Sequence, residues 1–541
     1  MLPAVVGYFE NKWGCSDLAG IEVLKSQWAA LSGLSADYED RDVLDAFSAI
    51  KMRNNLGSDG TCFAVWPVLF SAAPSDFVGY LNVLLCSPGL MSAWPVEAKL
   101  WGKKTSSPAL EEIRAVLPLP PVLQVGDWLV ARSLAEVVYR EEPVAAENYE
   151  GGRRGTQPAD IVAGLSLALE KSHDCGSPCA IAQADVRSFY DKIDLLLLSR
   201  WLLFHACPGW LVAAVLVMQL GCMIQFRFGE EVAALRQRCR GSLTGSRIAG
   251  ICGQAIMRDV MRQCSRLSVP YSLGGKSFGI AVWVDNMYAI GASARLACER
   301  LQVCESILRR KWKLVFKLSS MKVYSGRKAE KGRDFNSFVW QCPFVVLGSS
   351  IGPAGSASAD FDEACLSAWR RAWKGAASLR ARRLSNRLKL LDVQRVCWPA
   401  LAFRCSWWPI GATMFAAIGA LQRAIVSAIL RIPRDAAEDV DEYVRRRCRV
   451  VSAFCKEVGL WNEMAGRRVL SWDAHMRRNH QHCWANEMCR VHGSQWLQLQ
   501  RLIANSSSRF AGILGLRTSA GRPRTRFDEG VEFLTGKLER V

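Results

Sequence analysis

Two carboxylates, Asp185 and Asp285, have the surroundings in this chain best suited to chemistry. Asp185 closes a run of small and apolar residues, Ile181-Ala182-Gln183-Ala184. Val186, two polar residues, the aromatics Phe189 and Tyr190, and a further acid, Asp191, follow it. The run before Asp185 predicts a buried strand, and the Leu-rich run after Asp194 a helix. An acid at the end of a buried strand needs a metal ion or a paired charge, because an isolated buried anion is costly. A lone Asp at such a join is otherwise a cap or turn former. Asp285 lies in residues 278–291, which read as a β-hairpin with a tight Asp285-Asn286 turn between two apolar strands. Between the two acids, Arg240-Gly241-Ser242-Leu243-Thr244-Gly245-Ser246-Arg247-Ile248-Ala249-Gly250 is a glycine-punctuated loop entering an apolar helix over 251–261. Glycine allows close backbone approach, and a helix N-terminus favours phosphate.

The order of these parts resembles the polymerase palm of reverse transcriptases, specifically those of non-LTR (LINE-type) retrotransposons. Residues 184–191 resemble their first palm motif, and 240–250 their Arg-Gly-x-Pro-Gln-Gly-Ser-Pro-Leu-Ser-Pro loop. Trp283-Val284-Asp285-Asn286 stands where the family has an aromatic, a small residue and two Asp. Lys317-Leu318-Ser319-Ser320-Met321-Lys322 resembles its Lys-bearing fourth motif, and Phe344-Val345-Val346-Leu347-Gly348 its primer-grip strand. Upstream, the turn 57–60, the Lys103-Lys104 and Arg114 pair, and Gly151-Gly152-Arg153-Arg154-Gly155 resemble fingers motifs. Near the end, Trp472-Asp473-Ala474-His475 and Gly521-Arg522-Pro523-Arg524-Thr525-Arg526 match two C-terminal segments. The departures are Asn286 for the second Asp, Ala115 for Pro after Arg114, and Leu243, Thr244 and Arg247 for Pro, Gln and Pro in the glycine loop.

The resemblance implies an α+β right-hand polymerase fold: fingers, a palm with an antiparallel sheet and helices, a helical thumb, and a C-terminal basic helical tail. The implied bounds are a helical lead at 1–41, fingers at 42–180, palm at 181–350, thumb at 360–435 and tail at 436–541, with a linker at 352–358. Asp185 and Asp285, with the backbone carbonyl of Val186, would hold two Mg²⁺, for which Mn²⁺ can substitute. Asn286 would offer one oxygen beside them, and Lys322 would protonate the pyrophosphate leaving group. Lys104, Arg114, Thr244 and Gly245 would hold the incoming nucleotide. Tyr190 would stack on its sugar and exclude a 2′-hydroxyl. Arg153 and Arg154 would touch template, and Arg370, Arg371, Lys374, Arg380, Arg382 and Arg383 the duplex. Arg522, Arg524 and Arg526 form a cationic arm suited to phosphate. The expected activity is RNA-directed DNA polymerisation, with an RNA template, a DNA primer or target and deoxynucleoside triphosphates as partners. Two alternatives stand beside it: a catalytically silent relative that only binds nucleic acid, and an RNA-templated RNA polymerase.

Composition sets the frame for the elements that must carry these residues. The chain has 541 residues, half of them hydrophobic, enough for more than one core. Net charge is +19, unevenly spread: residues 1–150 hold 11 Lys/Arg and 19 Asp/Glu, the remainder 58 and 31. A basic body of that size suits a polyanion. Over 366–396 there are nine Lys/Arg and one acid, with Trp369 and Trp373 on one helix face. A further apolar helix is predicted at 414–432. Twenty Cys without a Cys-x-x-Cys, and an uncharged start at Met1, point to reduced thiols in the cytoplasm or nucleus. The apolar stretch 211–224 is shorter than the roughly twenty residues a bilayer needs, so no membrane is expected. His475, His480, His482, Cys483, Cys489 and His492 raise a zinc site, in no standard spacing. The resemblance begins near Asp42, so no endonuclease is expected ahead of the polymerase.

Overall fold

The computed structural model describes residues 2–15, 17–31, 33–50, 61–102, 110, 113–140, 144–235, 237–273, 275–326, 330–331, 335, 337–375, 384–478, 484–491 and 527–538. The fold is helix-rich, with two larger sheets. In chain order the strands are β1 (Val96–Gly102), β2 (Ile113–Val116), β3 (Tyr149–Gly151), β4 (Ala180–Asp185), β5 (Ile224–Phe228), β6 (Glu231–Ala234), β7 (Tyr271–Leu273), β8 (Lys276–Phe278), β9 (Ile280–Trp283), β10 (Asn286–Gly291), β11 (Lys322–Ser325), β12 (Val339–Trp340), β13 (Phe344–Val346) and β14 (Ser349–Ile351).

A six-stranded sheet of order β12-β11-β4-β10-β9-β3 carries both acids. Its centre is antiparallel, β11 and β10 flanking β4, while β3 and β12 join the edges in parallel. Alternation along β4 divides the molecule. Ala180, Ala182 and Ala184 face one way, opposite Gly291, Ala289 and Met287 of β10. Small residues there let the helices Arg247–Leu267 and Ala294–Ile307 pack close, in a core with Cys252, Ile256, Leu301 and Cys304. Ile181 faces the other way with Tyr288, Ile290 and Tyr324, in a second core completed by the helix Pro158–Cys175 and the C-terminal helices. Local signals fix the helix starts. Ser246, Ser293 and Asp194 accept amides of the first turns, and Gln157 with Asp160 forms a capping box. A second sheet, β2-β1-β5-β6, is mixed, β1 pairing parallel with β5.

Of three expected stretches, the lead and the apolar helix are found as helices and the linker is corrected. The 1–41 lead is part of the main core: Phe9 stacks on Phe226, and the fully buried Trp13 donates to Asp191 at 3.0 Å. The stretch 352–358 is no linker. Ser166 donates to the Gly355 carbonyl at 2.8 Å, and at φ +76° Gly355 lies so close to the Ser166 carbonyl that no Cβ fits. The expected 414–432 helix is Ala412–Leu430, and among the described helices it alone is long and apolar enough to cross a bilayer. Here it packs Ile418, Ile425 and Ile429 into the second core, and buried Gln422 donates to Gly459 O at 2.9 Å and accepts from Trp461 N at 2.9 Å. Residues 211–221 are helical and buried throughout.

Candidate active site

The chain turns sharply at the end of β9. Trp283 pairs with Asn286 across a two-residue turn of Val284 and Asp285, so Asn286 opens β10 and is no part of the turn. Val284 takes φ +59°, a left-handed conformation that costs a β-branched residue. In return the turn sets Asn286 directly opposite Asp185 on β4. The Val186 amide donates to the Asp285 carbonyl at 3.0 Å, locking the tips of the two strands together. The Asp185 and Asp285 carboxyls come within hydrogen-bonding reach of each other. Burial first, and the charge of Asp185 second, push the Asp285 carboxyl up to about 7, and Arg114 opposes the shift. Asn286 Nδ2 donates to Asp285 Oδ1 at 3.2 Å. From the other side Ser320, to which the residue pattern assigned no role, accepts the Asp185 amide at 2.9 Å and donates to Lys317 O at 2.6 Å. Lys317 N donates to the Asp185 carbonyl at 2.8 Å.

Of the predicted residues, Tyr190 and Arg114 lie close enough for Asp285 to feel them. Tyr190 follows on the short helix Phe189–Lys192; burial first, then Asp285, pushes its phenol well above the usual range. Arg114 is exposed on β2, opposite Trp101 of β1. Thr244 is tied to the end of that strand, its carbonyl accepting Leu117 N at 3.0 Å, and the exposed Gly245 takes φ +111°. Lys322 lies opposite Gln183 of β4, which puts it on the sheet face that carries Asp185. Arg153 and the exposed Arg154 stand between β3 and the helix Pro158–Cys175, Arg153 within 3.6 Å of Glu150.

Others stand apart. Arg370, Arg371 and Lys374 belong to the helix Ser358–Lys374; Arg370 pairs with Glu363 at 3.0 Å, and Arg371 donates to Val396 O at 3.5 Å. Trp369 and Trp373 stack at 5.9 Å on that helix. Asp191 takes a structural part, bound by Lys12 at 2.8 Å and by Trp13. Lys104, Arg380, Arg382, Arg383, Arg522, Arg524 and Arg526, the turn 57–60, and His480, His482, Cys483 and His492 lie outside the described residues.

One expectation is overturned by a long-range contact. The helix Arg247–Leu267 presents no open N-terminus to phosphate. Asp127, buried on the helix Pro121–Arg140, accepts Arg247 N at 2.9 Å, Ile248 N at 3.3 Å and the Ser246 hydroxyl. An internal carboxylate already meets the helix dipole there.

Two carboxylates and neighbouring carbonyls are oxygen ligands of the kind a hard divalent ion takes, with substrate phosphates completing its shell. Two acids pressed together in a half-buried place call for a cation. Among the described residues, no group of three or more His, Cys, Asp and Glu gathers as a ligand set.

No protein-family model and no curated protein matches the chain. Telomerase from Candida albicans, solved with a fragment of telomeric RNA, overlaps it with a TM-score of 0.40 at 8% identity, over 84% of this chain and 68% of that one. Apo telomerase from Candida tropicalis, truncated from its C-terminal domain, overlaps with a TM-score of 0.36 at 10% identity, over 50% of this chain and 55% of that one.

Proposed function

We propose that the chain is an RNA-directed DNA polymerase of the non-LTR retrotransposon kind, built as fingers, palm and thumb. The observation that carries this reading is the meeting of Asp185 and Asp285, far apart in the chain and brought within hydrogen-bonding reach by β4 and the β9–β10 turn. Asp185, Asp285 and the Val186 carbonyl would hold two Mg²⁺, which supply charge neutralisation for the attacking and leaving oxygens of phosphoryl transfer. Arg114 binds the triphosphate, with Thr244 and Gly245 beside it. Tyr190 covers the sugar, and Lys322 donates a proton to pyrophosphate. Arg370, Arg371 and Lys374 line the duplex side.

A second reading, a silent nucleic-acid-binding relative, is favoured by Asn286. It leaves the site without a third carboxylate beside the acid pair and occupies Asp285 Oδ1 with its amide. Primer extension on an RNA template with Mg²⁺ or Mn²⁺ separates the two. Extension by the wild type, lost in Asp185→Ala, supports the enzyme. No extension by the wild type, and none gained in Asn286→Asp, leaves the silent reading.

A further inference from the structure

Tyr190 is held in place by a missing side chain. The helix Arg247–Leu267 runs behind Phe189–Lys192, and Gly253 faces it. A Cβ on Gly253 would lie 2.8 Å from Phe189 Cε1 and 3.6 Å from Tyr190 Cε1. Phe189 is only 2% exposed, and its ring meets that of Tyr190 edge-on at 5.3 Å. In a close-packed site it cannot retreat without moving its neighbour. The main chain of Tyr190 is pinned, its carbonyl accepting Ser242 N at 2.8 Å and Ser242 Oγ at 3.3 Å. A push from behind therefore goes into the two rings.

Gly253 has no backbone reason to be glycine, since its φ is that of an ordinary helix residue. Glycine inside a helix costs about 1 kcal/mol relative to alanine. Gly250, one turn earlier, makes the comparison direct: a Cβ there meets nothing within 4 Å. The residue after Gly253 ties the same turn of helix to the acids. Gln254 accepts from the Tyr139 hydroxyl and donates to Gly152 O at 2.9 Å, and Gly152 borders Val284 of the β9–β10 turn.

We infer that Gly253 is a positioning residue that sets the depth of Tyr190 over the nucleotide sugar, and with it the preference for deoxyribonucleotides over ribonucleotides. The inference rests on the polymerase reading above.

The test is single-nucleotide incorporation on one primer–template, with a deoxynucleotide and the matching ribonucleotide, by the wild type, Gly253→Ala, Gly250→Ala and Tyr190→Ala, each also melted thermally. Gly253→Ala should change the deoxy-to-ribo ratio of kcat/KM by about tenfold, mainly through KM. Gly250→Ala should keep the wild-type ratio and melt no lower. Phe189→Leu combined with Gly253→Ala restores space and should bring the ratio back; that double variant also decides the matter if Gly253→Ala alone does not fold. A wild-type ratio in Gly253→Ala, with the ratio lost in Tyr190→Ala, overturns the role of Gly253 and leaves the polymerase reading standing. A changed ratio that persists in the double variant also overturns it. No incorporation of either nucleotide by the wild type overturns the polymerase reading itself, and this inference with it.

Discussion

The half-buried acids where β4 meets the β9–β10 turn and the fully buried acid beneath the C-terminal helices are treated by the chain in opposite ways. Asp160 is surrounded by donors: Tyr149 OH at 2.7 Å, Gln157 N at 2.8 Å, Trp472 Nε1 at 2.9 Å, with His475 at 3.5 Å. Asp259 is treated likewise by Gln263, Lys311, Trp312 and Arg262. Asp285 instead faces another acid, with the Asn286 side-chain amide and its own backbone amide as donors and the Arg114 charge beyond. An acid that holds a fold together is matched with donors by the chain itself. An acid held against a like charge is kept at a cost to stability, and such sites are where function concentrates.

Alanine at each kind of acid should break this contrast most widely. Asp285→Ala should cut extension by about a thousandfold or more while leaving the metal-free melting temperature at pH 8 unchanged or higher. Asp160→Ala should do the reverse, costing about 3 kcal/mol by orphaning buried donors while the folded fraction still extends. Melting curves and steady-state incorporation on both variants read the pattern, and equal stability losses would dissolve the distinction.

Titration sharpens it. In the folded chain the Asp285 carboxyl is pushed up to about 7, from the ordinary 3.8 of a free side chain. The folded state thus holds an extra proton between those values, so the stability contributed at this site falls as pH rises from about 4 to 7. A divalent ion must displace that proton. Mn²⁺ should therefore raise the melting temperature more at pH 8 than at pH 6, and Asp285→Asn should flatten both dependences. The same Mn²⁺ shift at both pH values would argue against the acid pair as its site.

Asn286→Asp adds a third charge to the pair. With Mg²⁺ it should raise extension several-fold, and without metal it should cost about 1 kcal/mol. A gain in metal-free stability would contradict the crowding of charge described above. The smallest effect is expected at Val284→Gly, which relieves the left-handed strain and should stabilise by about 0.5–1 kcal/mol in a denaturant melt, net of glycine's own entropy cost.

Much of the site was legible in the residues. The alternation before Asp185 marked β4, and the apolar runs around Asp285 marked a hairpin. The turn itself was misplaced by one residue, because nothing in its type leads Val284 to adopt a positive φ; the pairing of Asn286 with Asp185 and Trp283 imposes it. The glycine loop suggested phosphate at a helix start, but Asp127, 120 positions before Arg247, fills that place. The glycine-rich stretch after β14 looked like a linker by composition, and became core because Gly355 alone could approach the Ser166 backbone.

The chain's own pattern determined where strands and helices form, how their ends are capped and which residues have the chemistry to bind metal or phosphate, since these depend on near neighbours in sequence. The tertiary fold alone decided which carboxylates are surrounded by donors and which are left facing one another. Charges and hydrogen bonds act over a few ångströms in space. Trp472 and Asp160, 312 positions apart, meet only after the sheet and its two cores have formed.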